Sequence, residues 1–223
     1  MTEAPAHCVL FDVDGLLLDT EIVYTRVTQA IVSRFGKTFD WSIKANMIGR
    51  AESESSRYLV EALDLPITAD EYLAERNDRL KEGFAKCDAM PGAETLIRHL
   101  HGSGIPIAVA TSSTRELFEI KISRHRHWFD LFDATVRGDD PEIRRAKPAP
   151  DIFLTAASRI DARPEQTLVF EDAPSGLTAG LAAGMRVIAI PDPNMEKDRY
   201  RGATLILDTL DQFDPAMFGL PPR

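Results

Sequence analysis

The chain has 223 residues, enough for one large domain or for a core with an inserted lobe. It carries 35 acidic and 26 basic residues, and this net charge of −9 disfavours nonspecific nucleic-acid binding, which needs a basic surface. No apolar stretch approaches the ~20 residues of a membrane span, and no charged-then-apolar export signal opens the sequence. Two cysteines offer no disulfide framework, so we expect a cytoplasmic protein.

A short apolar run, Cys8-Val9-Leu10-Phe11, predicts a buried strand near the start of the chain. Two carboxylates, Asp12 and Asp14, follow it one residue apart, and Gly15 comes next. Two acids held close together in a poorly hydrated place repel each other unless a cation lies between them. On these residues alone, a cation-binding acidic site and a solvated Asp-Gly turn both stay open.

The next block, residues 20–87, predicts helix after helix and no strand. Apolar residues in 21–35 recur at helical spacing, and Asp40 is placed to cap a second, short helix. Further on, Thr68 and Glu71 have the spacing of a capping box at the start of another helix. We therefore expect this block to form an all-helical lobe.

From residue 90 onward the pattern changes to strands alternating with helices. After a helix around 96–100, strands are predicted at 105–110, 134–136, 168–170, 187–190 and 204–207, with helices at 114–125, 150–160, 174–183 and after the last strand. Such alternation predicts βαβ units and an α/β fold with a Rossmann-like, mostly parallel sheet. We expect residues 1–19 and 88–223 to form this core and 20–87 to be an inserted helical cap.

Polar residues that suit catalysis follow several of the predicted strands. They are Asp12, Asp14, Thr111, Glu171 and Asp172. Because open α/β sheets bind ligands at the carboxyl ends of their strands, we expect these residues to converge on one site.

Four short motifs occur in order along the chain, each next to an apolar run. They are Asp-Val-Asp-Gly-Leu-Leu-Leu-Asp-Thr (12–20), Ala-Thr-Ser-Ser (110–113), Lys-Pro (147–148) and Phe-Glu-Asp (170–172). Together they resemble the signatures of the haloacid-dehalogenase-like hydrolases, in the phosphatase branch that carries a helical cap. Further segments, such as Gly-Asp-Asp-Pro-Glu (138–142), are similar to those of the pseudouridine-5'-phosphatases and their near relatives.

This resemblance implies a phosphatase that hydrolyses a small phosphate monoester through an aspartyl-phosphate intermediate. It implies that Asp12 is the nucleophile and that Asp14 protonates the leaving oxygen and later takes a proton from water. It also implies that Thr111 and the backbone of Ser112 bind phosphoryl oxygens, while Lys147 lies between the nucleophile and the phosphate.

The resemblance further implies a Mg²⁺ cofactor. Its expected ligands are the carboxylates of Asp12 and Asp172 and the backbone carbonyl of Asp14, with Glu171 acting through a water molecule. Few protein oxygens completed by water and substrate phosphate are the usual surroundings of Mg²⁺ in enzymes that handle phosphate.

Residues of the cap are expected to face the organic part of the substrate. Glu21 and Tyr24 begin its first helix, next to the first motif. Arg50 follows Gly49, and it is either a substrate contact or a solvated surface charge. The expected partner is a small phosphorylated metabolite, with pseudouridine 5'-phosphate as the leading substrate and sugar, polyol or flavin phosphates open.

Three other functions compete with this interpretation. A phosphosugar mutase shares every core residue and returns the phosphoryl group to its substrate. A dehalogenase of this fold lacks the second aspartate, so Asp14 argues against it, and a scaffold protein has little reason to keep the four core motifs together. We expect a monomer or weak dimer that binds neither nucleic acid nor membrane.

Overall fold

The computed structural model describes residues 4–48 and 52–223. These residues form two compact units, one containing the chain up to Asp19 together with Asp88–Arg223, the other containing Thr20–Cys87. The first unit holds all the strands of the described residues, and the second is helical.

The first unit is built around a parallel sheet. Its strands are β1 (Cys8–Phe11), β2 (Ile107–Ala110), β3 (Ala134–Val136), β4 (Thr167–Glu171), β5 (Arg186–Ala189) and β6 (Leu205–Ile206). In the described residues they pair in the order β3-β2-β1-β4-β5-β6, all in parallel, which confirms the predicted fold class. The order changes direction between β1 and β4, and open α/β sheets bind ligands outside the carboxyl ends of strands at such a point.

The central strand β1 consists of apolar, buried residues up to Phe11, the residue before Asp12. Every residue of β1 is buried, as expected for a strand covered on both faces. Phe11 pairs in register with Phe170 of β4, and their stacked ring centroids are 4.9 Å apart. Phe213 meets Phe170 edge-on at 4.8 Å. Burial of side chains of this size stabilises the fold by about 1.5–3 kcal/mol each, so the strand ends stand on a well-packed base.

The second unit consists of four helices in its described residues, α1 (Thr20–Ser33), α2 (Trp41–Met47), α3 (Glu52–Ala62) and α4 (Ala69–Phe84). The Asp40 side chain caps α2, and Thr68 and Glu71 form the predicted capping box of α4. Helix α4 packs against both α1 and α3. The buried core of this unit contains Ile31, Val32, Phe39, Leu59, Leu65 and Tyr72.

The remaining helices flank the sheet. They are α5 (Ala93–Gly102), α6 (Arg115–Lys121), α7 (Arg126–Phe129), α8 (Asp151–Arg159) and α9 (Pro174–Ala182). The single helix predicted at 114–125 is wrong, because α6 ends at Lys121 and the chain turns before α7. This break lets Trp128 and Phe129 become buried, with the Phe129 ring 5.8 Å from that of Phe118.

The helix predicted after the last strand is also wrong. Two short 3₁₀ turns, Leu210–Gln212 and Pro215–Phe218, stand in its place. The second turn begins at Pro215 and is stopped by Gly219, which has a φ of 74°. A proline favours a helix start and such a glycine a helix end, and the few residues between them are too short for an α-helix.

The segment by which the chain leaves the first unit and the segment by which it returns are hydrogen-bonded to each other. The Asp19 N–H donates to the Asp88 carbonyl at 2.9 Å, and the Met90 N–H donates to the Leu17 carbonyl at the same distance. Every helix in the described part of the chain is too short or too polar to cross a membrane.

Candidate active site

One buried lysine joins the ends of three strands. Lys147 Nζ donates to Asp12 Oδ1 at 2.6 Å, to Glu171 Oε1 at 2.6 Å and to the Ala110 carbonyl at 3.0 Å. Asp12 directly follows β1, Glu171 ends β4 and Ala110 ends β2. The predicted convergence of strand ends on one site is thus present in the structure for these residues.

The charges of this cluster are unbalanced toward the negative. Burial raises the pKa of Asp12 to about 7, and the nearby carboxylates of Glu171 and Asp14 add to the rise while Lys147 opposes it. Burial alone would lower the pKa of Lys147, but the attraction of Asp12 and Glu171 outweighs it and raises that pKa above its usual value. The Lys147 ammonium therefore serves two buried carboxylates, and a further cation would be favoured here.

Glu171 is held at both of its carboxylate oxygens. Oε1 accepts the bond from Lys147, and Oε2 accepts from the backbone N–H groups of Asp172 at 3.1 Å and Ala173 at 3.2 Å. The first turn of α9 comes so close that a Cβ at Gly176 would lie 1.8 Å from Glu171 Oε1. Glycine is therefore needed at this position for the carboxylate to occupy its place.

Three carboxylates are arranged so that they can hold a metal ion. Asp12, Glu171 and Asp172 each offer one oxygen, and these three atoms lie within 4.8 Å of one another. Carboxylate oxygens are the ligands that hard cations such as Mg²⁺ prefer, so the donor set fits that ion. Both Glu171 oxygens also accept hydrogen bonds, one from Lys147 and the other from backbone N–H groups.

The loop that carries Asp172 is held by a tyrosine that the sequence analysis missed. The hydroxyl of Tyr200, from the 3₁₀ turn Lys197–Tyr200, donates to the Asp172 carbonyl at 2.5 Å. Burial raises the pKa of Tyr200, and the charges of Asp172 and Glu171 raise it further, so this hydroxyl stays a donor. The two residues are 28 positions apart, and Tyr200 lies in an irregular segment without a periodic pattern that would predict the contact.

Asp14 lies in a hydrogen-bonded group of its own. Its Oδ2 atom accepts from Ser113 Oγ at 2.8 Å and lies 3.5 Å from Thr111 Oγ1, while Lys121 Nζ donates to Oδ1 at 2.5 Å. Lys121 Nζ also donates to Ser113 Oγ at 2.8 Å. Ser113 and Lys121 were not among the site residues predicted from the sequence. A usable signal was present, since Lys121 lies three residues after Phe118 on the buried face of α6.

The segment that leads from β3 to Lys147 begins with a close contact to the loop that follows β2. A Cβ at Gly138 would lie 2.2 Å from the Ser112 carbonyl oxygen, so only glycine permits this approach. The Gly138 N–H donates to the Ser113 carbonyl at 2.9 Å, and the Asp139 carboxylate accepts from the Arg115 N–H at 2.9 Å. Ser112 itself is exposed, which leaves it accessible at the strand end.

The residues expected to contact the organic part of the substrate lie in the helical unit. Glu21 forms an ion pair with Lys44 at 2.9 Å, and the Tyr24 ring packs edge-on against Phe84 at 5.2 Å. Their predicted roles stay predictions. Arg50 lies outside the described residues.

Comparisons with known proteins agree on one family. A family model described as haloacid dehalogenase-like hydrolase matches residues 6–184. The chain is 47% identical to (DL)-glycerol-3-phosphatase 1, mitochondrial, of Arabidopsis thaliana over 96% of this chain and 73% of that protein. It is 43% identical to a probable pseudouridine-5'-phosphatase of Drosophila melanogaster, over 96% of this chain and 94% of the relative.

A solved structure extends this agreement to the fold. The crystal structure of a HAD family hydrolase from Deinococcus radiodurans R1, with bound phosphate and sodium, superposes with a TM-score of 0.82. It is 27% identical and covers 99% of this chain and 100% of its own. The chain therefore belongs to the haloacid dehalogenase-like hydrolases, and it is a phosphoric monoester hydrolase of that family.

Proposed function

We propose that this chain is a Mg²⁺-dependent phosphatase that transfers the phosphoryl group of a small phosphate monoester to Asp12 and then to water. The observation that carries the proposal is the buried Lys147 ammonium, 2.6 Å from both Asp12 and Glu171. It keeps the Asp12 carboxylate in place at a strand end, while Asp172 completes an oxygen-rich cluster beside it.

In the first half-reaction, an Asp12 oxygen attacks phosphorus and the ester P–O bond breaks. The electron pair of that bond leaves with the ester oxygen, which takes a proton from the Asp14 carboxyl group. Thr111 and the backbone of Ser112 bind the phosphoryl oxygens, and Lys147 compensates part of their negative charge. The alcohol then departs.

In the second half-reaction, Asp14 acts as the base. A water molecule attacks phosphorus and gives a proton to the Asp14 carboxylate, the bond between phosphorus and the Asp12 oxygen breaks, and inorganic phosphate leaves. Asp14 then holds the proton needed for the next substrate, so the cycle closes without any external acid.

A metal ion fits the acidic side of this site. Mg²⁺ bound by Asp12, Asp172 and the Asp14 backbone carbonyl, with Glu171 acting through water, would supply the positive charge that offsets repulsion between an anionic nucleophile and an anionic phosphate. Burial and the nearby carboxylates of Glu171 and Asp14 raise the pKa of Asp12, and a positive charge beside it would favour its ionised form.

The substrate is proposed to be a small phosphorylated metabolite. Relatives at 47% and 43% identity are named for glycerol 3-phosphate and for pseudouridine 5'-phosphate, so both esters are candidates here. The helical unit, with Glu21 and Tyr24, is proposed to select between them. Core residues handle the phosphoryl group that all candidates share, and selectivity must come from contacts with the part that differs.

A phosphate-release assay tests the proposal. Glycerol 3-phosphate, pseudouridine 5'-phosphate and flavin mononucleotide are each incubated with the enzyme in Mg²⁺ or in excess chelator. We expect free phosphate from at least one ester in Mg²⁺ and none in chelator, and no turnover by Asp12→Asn. A phosphosugar mutase would instead release no phosphate from these three esters and would convert a sugar phosphate, tested as a fourth ester, into its isomer without free phosphate, and that outcome would refute the phosphatase assignment.

We further propose a cytoplasmic enzyme that is a monomer or weak dimer. Both cysteines, Cys8 and Cys87, are buried thiols, which suits a reducing compartment. The large apolar side chains that the described residues expose lie on four different elements, and they are Ile22, Leu154, Leu181 and Met217.

A further inference from the structure

Both oxygens of the Asp14 carboxylate accept hydrogen bonds from side chains that follow β2 in the sequence. Lys121 Nζ, from the last residue of α6, donates to Oδ1, and Ser113 Oγ donates to Oδ2 at 2.8 Å. The same ammonium donates to Ser113 Oγ, so the three groups form a closed triangle. Such a triangle leaves the carboxylate little freedom to rotate, because turning it would break bonds at both oxygens.

Burying the Lys121 ammonium is unfavourable for the free energy of folding. Its side chain is 1% exposed, and taking an ammonium out of water costs several kcal/mol that an ion pair often only just repays. A methionine of similar length at this position could pack beside Phe118 and Ile122, which are also buried, without that cost. Stability alone therefore does not account for a lysine here.

The partner of the lysine is the more informative half of the pair. Asp14 is 25% exposed, so water can reach the carboxylate that the lysine holds from the buried side. We infer that Lys121, together with Ser113, is a positioning residue that fixes the Asp14 carboxyl group for proton transfer. This inference rests on the proposed function, in which Asp14 is the acid–base.

The first test compares two classes of leaving group. An alkoxide, as from glycerol 3-phosphate, needs a proton in order to leave, whereas nitrophenolate leaves readily without one. A misplaced acid should therefore lower kcat/KM for the alkyl ester by about 10–100-fold in Lys121→Met, with a clearly smaller loss for p-nitrophenyl phosphate. Arg126→Met, which also removes one positive charge but at an exposed site on α7, should leave both values unchanged.

The second test is a double-mutant cycle with Asp14→Asn on the alkyl ester. If Lys121 acts through the Asp14 carboxylate, then adding Lys121→Met to Asp14→Asn should cost little further kcat/KM. Losses that multiply in the double variant would overturn the inference. Equal losses on the alkyl and nitrophenyl esters, or no loss on either, would overturn it as well.

Two further measurements distinguish an effect on folding from an effect on catalysis. The melting temperature of each variant is recorded, and if Lys121→Met does not fold, the cycle is run with Ser113→Ala, which removes the other grip without changing charge. An Asp14→Asn enzyme with the wild-type rate would refute the proposed acid–base role and this inference together. An inactive Asp14→Asn enzyme with an independent Lys121 effect would refute the inference alone.

Discussion

Replacing Lys147 by methionine removes an ammonium that neutralises two buried carboxylates, while it keeps most of the side-chain volume. The side chains of Lys147, Asp12 and Glu171 are 6%, 8% and 1% exposed, so water cannot take over the role of the lysine. Removing one partner of a buried ion pair costs about 3–5 kcal/mol. For a chain of this size that corresponds to a fall in melting temperature of about 6–20 °C.

The assay is thermal unfolding in excess chelator, followed by calorimetry. The matched control is Arg145→Met, two residues away, where the guanidinium is 71% exposed and pairs with Asp151 at 3.1 Å. An exposed pair of this kind contributes only about 0–1 kcal/mol. The two variants lose the same charge from the same loop, and they differ only in the burial of the group that is lost.

A melting temperature for Lys147→Met that matches the Arg145→Met value would refute this charge balance. A second change sharpens the test. Adding Glu171→Gln to Lys147→Met removes one of the two stranded negative charges, so the double variant should recover part of the lost stability. If it instead melts lower than Lys147→Met, the carboxylates are not the source of the instability.

Three further predictions concern the metal side of the site. Asp172→Asn should abolish the rise in melting temperature that Mg²⁺ causes in the wild type, and a rise that persists would move the ligand elsewhere. Tyr200→Phe removes a hydrogen bond worth about 0.5–1.5 kcal/mol, so the Mg²⁺ concentration for half-maximal activity should increase about 2–12-fold, whereas an unchanged metal titration would deny Tyr200 this role. Gly176→Ala should destabilise the protein by about 1–3 kcal/mol through its clash with Glu171, whereas Gly102→Ala, at a helical glycine with open space around a Cβ, should stabilise it slightly. Equal unfolding free energies for the two alanine variants would contradict the close approach at Gly176.

The convergence of the site was predictable because strand ends are readable from short apolar runs. Asp12 and Glu171 each sit at the end of such a run, and parallel pairing of β1 with β4 puts the two ends together. Lys147 is a harder case, since it lies in an irregular segment. Its placement was expected from the family resemblance and not from any local pattern.

The residues that were missed reach the site from elements that face it only in the folded protein. Lys121 points inward because Phe118, one turn earlier on α6, is buried in the core, so the same face of the helix carries the lysine to Asp14. Tyr200 arrives from a 3₁₀ turn between strands. The helical spacing from Phe118 puts Lys121 on the buried face of α6, but which residue that face meets depends on where the helix packs, and single-sequence patterns do not predict that.

The helix boundaries failed for a related reason. The segment 114–125 has continuous helical spacing, yet α6 ends at Lys121 so that Trp128 can become buried. Burial of a tryptophan outweighs the small gain from extending a helix by one turn.

The central claim is that the phosphoryl group passes through Asp12. The most direct measurement is rapid acid quenching of the enzyme during turnover of a phosphate ester, followed by peptide mapping with mass spectrometry. The account predicts a phosphoryl adduct on the peptide that contains residues 8–20, located on Asp12, that forms at least as fast as the enzyme turns over and is absent from Asp12→Asn. An adduct on another residue, or full turnover by Asp12→Asn, would contradict it.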